Sequence, residues 1–168
     1  PYMYHQAFDP TNTPKFAESF PFMRVMSGSD QHLESEHALM SALVGRLSSD
    51  DGLYYAIYKP ERPWHSAGHD GYSGKLEDFA NMSGNGRMLR AMVAWRERDN
   101  DPAWDDRIRA LAAGLESIAV QRDDYAYFPD GGFAEAFSYP RSGWLHTKEP
   151  MSESEGGEGS VVAYHGHQ

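Results

Sequence analysis

The chain of 168 residues contains no cysteine. This absence excludes a disulfide framework, cysteine-based zinc sites and a cysteine nucleophile. The sequence also lacks any run of apolar residues long enough to predict a membrane-spanning helix. Basic residues number 15 against 25 acidic ones, and the formal net charge is −10. That balance argues against a nucleic acid or an anionic membrane as partner, because both require a positive protein surface.

Aliphatic residues are scarce as well. Leu, Ile and Val number 19 in total, and with the 8 Phe they make up about 16 % of the chain. A charged chain with less than roughly 20 % of these residues is a candidate for disorder. Aromatic residues nevertheless reach 13 %, which is far more than a disordered chain carries. The composition therefore indicates either a fold with an aromatic core or a part of something larger.

The spacing of apolar residues predicts a mostly helical chain with little β structure. Helices are predicted over residues 29–48, 86–98 and 102–119, and a fourth is predicted to begin at about residue 159. Residues 1–28, in which Pro10, Pro14 and Pro21 stand among four phenylalanines, predict an ordered but irregular segment. Ser29 or Asp30 is a candidate cap for the first helix. Glu34 and Glu36 are assigned to its solvated face.

A weak internal repeat of about 70 residues is visible in the sequence. In each unit a helix is followed by an acidic turn, a tyrosine-rich segment, a proline and a long glycine-rich loop before the next helix. Helical hairpins joined by long loops would form a stacked or ring-shaped array. Coincidence between two aromatic turns is the alternative explanation.

The chain resembles the six-hairpin glycosidase superfamily, the (α/α)-toroids of glycoside hydrolases and polysaccharide lyases. The resemblance rests on the alternation of amphipathic helices with aromatic, glycine-rich loops, and on two segments, residues 86–104 and 158–167. It implies an all-α fold of helical hairpins in which residues 1–168 form a single segment of a toroid domain. Because a complete ring has many more helices than the four predicted, we expect this chain to be one part of a longer enzyme. The remainder of that enzyme is then its expected partner.

The resemblance implies a carbohydrate substrate and, most simply, a glycoside hydrolase. Glycoside hydrolysis requires two carboxyl groups on either side of the scissile bond. In a toroid the cleft is lined by the amino ends of inner helices and the loops before them. Glu158, Asp70 and Asp30 stand at such positions, with Glu158 the preferred choice. The alternative for Glu158 and Asp30 is a structural role as an acid at a helix amino terminus.

Several loop residues are candidates for substrate binding. Aromatic faces stack on the C–H faces of sugar rings, histidines can donate hydrogen bonds or act as acid and base, and an arginine can pair with a uronate carboxylate. The candidates are His65, His69, Trp64, Tyr72, Trp144 and Arg141. The alternative interpretation is that the loop aromatics fill a core that is short of aliphatic residues, and that the polar groups stabilise the loops.

No metal or cofactor is expected. His165 and His167 are two residues apart, so on a helix their side chains diverge. The segment Gly84–Gly86 lacks the preceding strand and the following lysine of a phosphate-binding loop. Two other functions remain open. One is a polysaccharide lyase on the same fold, with His69 or a loop tyrosine as base. The other is a noncatalytic helical-repeat binding module.

Overall fold

The structure is a computed structural model that describes residues 12–57, 77–128 and 138–144. These ranges are mostly helical, which confirms the predicted helical class. The helices are α1 (Asn12–Ser27), α2 (Leu33–Val44), α3 (Met82–Asp99) and α4 (Ala103–Ile118). The strands are short: β1 (Phe79–Asn81), β2 (Val120–Gln121), β3 (Ala126–Tyr127) and β4 (Ser138–Pro140). The predicted helix from residue 159 lies outside the described residues.

Helix α1 occupies residues that were predicted to be irregular, so the prediction for residues 12–27 is wrong. Pro14 lies in the first turn, where backbone N–H groups have no helical acceptor, and its missing donor costs no bond. Pro21 lies inside the helix and leaves the carbonyl oxygen of Ala17 without its usual N–H donor. The indole Nε1–H of Trp95, on α3, donates to that oxygen at 2.7 Å. The contact with α3 therefore satisfies the acceptor that Pro21 leaves open.

Helix α2 is shorter than the predicted range 29–48. It begins after His32, whose φ of 63° lies in the left-handed region, and the His32 side chain makes no capping hydrogen bond. Asp30 is exposed in the turn before this residue. The helix thus starts too late for Ser29 or Asp30 to occupy the capping position, and that prediction is wrong.

Helices α3 and α4 form a helical hairpin, in which residues 100–102 make the turn. Helix α3 starts four residues before the predicted position because the Asn81 side chain accepts the N–H of Gly84 at 2.9 Å and so caps the helix. Asn100, with φ of 52°, ends α3 in the left-handed conformation typical of a helix carboxyl end. The Asp101 carboxylate then accepts the N–H of Ala103, the first residue of α4, at 2.9 Å.

The core lies where α3 packs against α1 on one side and α4 on the other, with α2 against α1. Its largest fully buried side chains are mainly aromatic and methionine residues, and only three are leucines. They are Trp95, Tyr54, Tyr55, Phe79, Met40, Met88, Met92, Leu43, Leu53 and Leu111. Aromatic rings bury a large apolar area each, and methionine adapts to irregular gaps. These two residue types therefore supply the core that the scarce aliphatic residues do not.

An extended segment after α2 crosses the core and brings distant parts of the chain together. Its Ala56 exchanges two backbone hydrogen bonds with Phe79 of β1, at 2.8 and 3.1 Å. The buried amide of Asn85 accepts the N–H of Tyr54 and donates to its carbonyl, at 2.8 and 2.9 Å. Strand β1 pairs antiparallel with β4, and β2 with β3. This pairing places the residues around Tyr55 close to those that follow β4.

Candidate functional site

Four side chains from two distant segments form a compact polar cluster at the end of β4. The guanidinium carbon of Arg141 lies 3.5 Å from the centre of the Tyr55 ring. The same guanidinium donates through Nη1 to the Asp51 carboxylate at 3.3 Å and to the Ser48 hydroxyl at 3.2 Å. The Tyr55 hydroxyl donates to the same Asp51 oxygen, at 2.8 Å. One carboxylate thus holds both the ring and the cation that covers it.

The position of Asp51 is fixed by a close approach between its turn and helix α4. A Cβ atom on Gly114 would stand 2.2 Å from the Asp51 carbonyl oxygen, and one on Gly52 would stand 2.3 Å from the Ala110 carbonyl oxygen. Gly52 also has a φ of 74°, which residues other than glycine rarely adopt. The turn therefore packs against α4 only because both positions lack a side chain.

The segment from β4 to residue 144 is attached to the core at several points. The backbone N–H of Arg141 donates to the Asp78 carbonyl at 3.0 Å. Ser142 donates from its backbone N–H and its hydroxyl to the Glu77 carboxylate, at 2.8 and 2.7 Å. The Trp144 indole N–H donates to the Ile118 carbonyl at the end of α4, at 2.7 Å. These bonds hold the backbone that presents Arg141.

An aromatic pair stands beside the cluster. The rings of Tyr139 and Trp144 meet edge to face with centres 4.9 Å apart, and both side chains are half-buried. Tyr139 also lies near Tyr55 and contributes to the raised pKa of the Tyr55 hydroxyl. We call the set Asp51, Tyr55, Tyr139, Arg141 and Trp144 the Arg141 surface. It combines aromatic rings with one cation whose side chain is 37 % exposed.

The electrostatics of the Arg141 surface assign different roles to its members. Burial, followed by the hydrogen bond to Asp51 and the negative charge of that carboxylate, raises the pKa of Tyr55 far above its usual value of 10.0. Tyr55 is therefore a neutral hydrogen-bond donor. Asp51 accepts from the Tyr55 hydroxyl, from Arg141 and from the N–H of Leu53, the last at 3.0 Å. With both of its oxygens engaged, Asp51 positions its neighbours, and Arg141 is the charged group that can meet a ligand.

Of the predicted site residues, the structure brings Arg141 and Trp144 onto one surface. Asp30 lies elsewhere, in the exposed turn between α1 and α2. The remaining candidates lie outside the described residues: Glu158, Asp70, His65, His69, Trp64 and Tyr72. Asp51 and Tyr55 were not predicted as site residues. No local pattern marks them, because their partner Arg141 is 90 residues from Asp51 in the chain.

A second charged cluster was also missed. Glu36 is 6 % exposed, so its assignment to a solvated face is wrong. Its carboxylate pairs with Arg24 of α1 at 2.6 Å and with Arg98 of α3 at 3.5 Å. Arg24 also donates to the backbone carbonyls of Ser29 and Gln31. Glu36 stands four residues before the core residue Met40, and this spacing was the available signal that it faces inward.

The described ranges contain no group of three or more His, Asp or Glu side chains placed to hold a metal ion. Among the described helices, none is both long and apolar enough to cross a membrane. Comparison with known proteins finds no matching family model, no matching curated protein and no matching solved structure.

Proposed function

We propose that this chain is part of a carbohydrate-active enzyme, a glycoside hydrolase acting on an oligosaccharide or a uronate-bearing glycan. In this proposal the helical hairpins belong to an (α/α)-toroid, and the Arg141 surface lines part of its substrate cleft. The proposal is supported by the helical class of the fold, by the short α3–α4 hairpin and by the residues that make up this surface.

The observation that carries the proposal is the stacking of the Arg141 guanidinium on the Tyr55 ring beside the Tyr139–Trp144 pair. A sugar ring offers C–H faces that pack on aromatic rings and hydroxyl groups that accept hydrogen bonds from a guanidinium. A uronate adds a carboxylate, which arginine recognises with directional, charge-assisted hydrogen bonds. Asp51 and Tyr55 hold Arg141 in place before a ligand arrives, which lowers the entropic cost of binding.

The two catalytic carboxyl groups in this proposal are Glu158 and Asp70, with one as the acid and the other as the base or nucleophile. Asp30, in the exposed turn between α1 and α2, is not one of them. Asp51 is not a candidate, because its oxygens accept hydrogen bonds from Tyr55, Arg141 and the backbone. Its role in the proposal is to position Arg141.

The test is turnover on a panel of neutral and uronate-bearing oligosaccharides, followed by the appearance of new reducing ends and by the masses of the products. We expect the full-length enzyme to shorten at least one acidic glycan. Glu158→Gln and Asp70→Asn are each expected to lower kcat by about 10²-fold or more, the usual contribution of an acid–base group. Glu116→Gln, a change of an exposed carboxylate on α4, is the matched control and should leave kcat unchanged.

The other outcomes of this assay separate the alternatives. A product with a new double bond, which absorbs in the ultraviolet, would overturn hydrolysis in favour of a lyase. Binding of a glycan without any turnover would overturn the enzyme in favour of a binding module. Full turnover by both variants would show that Glu158 and Asp70 are not the catalytic pair.

A further inference from the structure

Helix α1 turns a continuous apolar face away from the rest of the described chain. Its exposed side chains are Phe16, Phe22, Met23, Val25 and Met26, with exposed fractions between 54 % and 86 %. Phe16 is seven residues from Met23, and the other neighbours along the face are three or four residues apart, so the side chains lie side by side along the helix. Such large apolar patches on a protein surface mark sites of interaction.

The orientation of α1 is fixed by contacts that its other side chains and its backbone make with α2 and α3. Glu18 pairs with Arg90 of α3 at 2.6 Å, and Arg24 pairs with Glu36 of α2 at 2.6 Å. The Ala17 carbonyl accepts the Trp95 indole. Rotating α1 to bury its apolar face would break all three contacts.

We propose that this face is the interface of a symmetric dimer of the chain. With the exposed fractions above, the five side chains present on the order of 600 Å² of apolar surface. Two such faces would bury about 1,200 Å², which is the lower end of the range for stable protein–protein interfaces. A two-fold axis requires that one patch be complementary to itself, and a single helix packed antiparallel against its copy meets that requirement.

The distribution of charge agrees with a second copy as the occupant. The molecule carries a net charge of −10, so two copies repel each other over most of their surface. The one acid on α1, Glu18, is turned inward and paired, and the charged residue nearest to the apolar face is Lys15. The repulsion between copies is therefore smallest at this face.

The experiment measures the mass of the full chain in solution, by sedimentation and by light scattering, from low to high micromolar concentration. We expect a monomer–dimer equilibrium. Met26→Glu should raise the dimer dissociation constant about tenfold or more, because it places a charge in the apolar contact. Ala112→Glu introduces the same charge at an exposed position of α4 and is the matched control, with no expected effect.

A chain that stays monomeric throughout the concentration range would overturn the proposal, as would an oligomer that Met26→Glu leaves unchanged. None of these outcomes depends on the glycan proposal.

Discussion

At the scale of single residues, Tyr55 joins the hydrophobic core to the charged surface. Its side chain is 1 % exposed, yet its hydroxyl reaches Asp51 and one face of its ring carries the Arg141 guanidinium. Ionising this hydroxyl in the folded state would place a buried negative charge beside a carboxylate. The protein avoids that charge by keeping Tyr55 protonated, which makes its contribution to stability dependent on pH.

The resulting prediction concerns alkaline pH. The pKa of Tyr55 is raised above its usual 10.0 in the folded state, so its contribution is complete below that pH and is lost as pH rises above it. We expect Tyr55→Phe to be less stable than the wild type near neutral pH by about 1–2 kcal/mol, the worth of the hydrogen bond to Asp51. Above about pH 10 this difference should shrink, by up to about 1.4 kcal/mol per pH unit.

Urea unfolding midpoints of the two proteins between about pH 8 and pH 11 provide the measurement. Tyr125→Phe, at an exposed tyrosine, is the control and should show no such dependence. A difference between wild type and Tyr55→Phe that stays constant over this range would contradict the buried, protonated hydroxyl.

At the scale of the elements, α1 depends on a neighbour for a hydrogen bond that a helix normally makes within itself. Pro21 provides no N–H for the Ala17 carbonyl, and Trp95 of α3 provides one. Because the Trp95 donor replaces the one that Pro21 lacks, α1 forms although the spacing of apolar residues did not predict it. The same spacing did predict α3 and α4. Two prolines within α1, and apolar residues on all its sides, conceal it in the sequence. What stabilises it is a contact between residues 78 positions apart.

The prediction at this scale is a coupling between Pro21 and Trp95. Trp95→Phe should destabilise the fold by about 2–4 kcal/mol, because it leaves a buried acceptor without a donor and removes part of a core ring. In a chain that also carries Pro21→Ala the loss should be about 1 kcal/mol smaller, since Ala at position 21 supplies an N–H to the Ala17 carbonyl. Pro14→Ala is the control, because Pro14 occupies the first turn.

Thermal and urea unfolding of the single and double variants give the coupling free energy. We expect a coupling for the pair at 21 and 95 and none for the pair at 14 and 95. Strictly additive effects at 21 and 95 would contradict the exchange of donors.

At the scale of the whole molecule, the sequence predicted the helical class and the helices over residues 86–98 and 102–119, which coincide with α3 and α4 over most of their length. These predictions rest on local spacing. Local spacing puts Glu36 on the same face as Met40, but its residue type led to its assignment to solvent, because its burial depends on arginines that α1 and α3 contribute. A carboxylate on an otherwise amphipathic helix is ordinarily solvated, and only the positions of distant cations change that preference.

The same distinction applies to the candidate site. Arg141 and Trp144 could be selected from the sequence because residue type and loop composition suffice for a saccharide-binding hypothesis. Asp51 and Tyr55 could not, since their role depends on the pairing of β1 with β4 and on the close packing of Gly52 and Gly114 against their neighbours. The sequence therefore predicted which residue types could bind a saccharide. It did not predict which distant residues come together in the folded chain.

The measurement that tests the central claim most directly is calorimetric titration of the full chain with a uronate-bearing oligosaccharide and with its neutral counterpart. The account predicts saturable binding that favours the acidic glycan, and a loss of about tenfold or more in affinity for Arg141→Gln, the worth of one charge-assisted contact. Arg107→Gln is the matched control, because Arg107 also stacks on an aromatic ring, that of Trp104. Its affinity should equal that of the wild type. Absence of binding to either glycan, or equal losses in the two arginine variants, would contradict a saccharide site at the Arg141 surface.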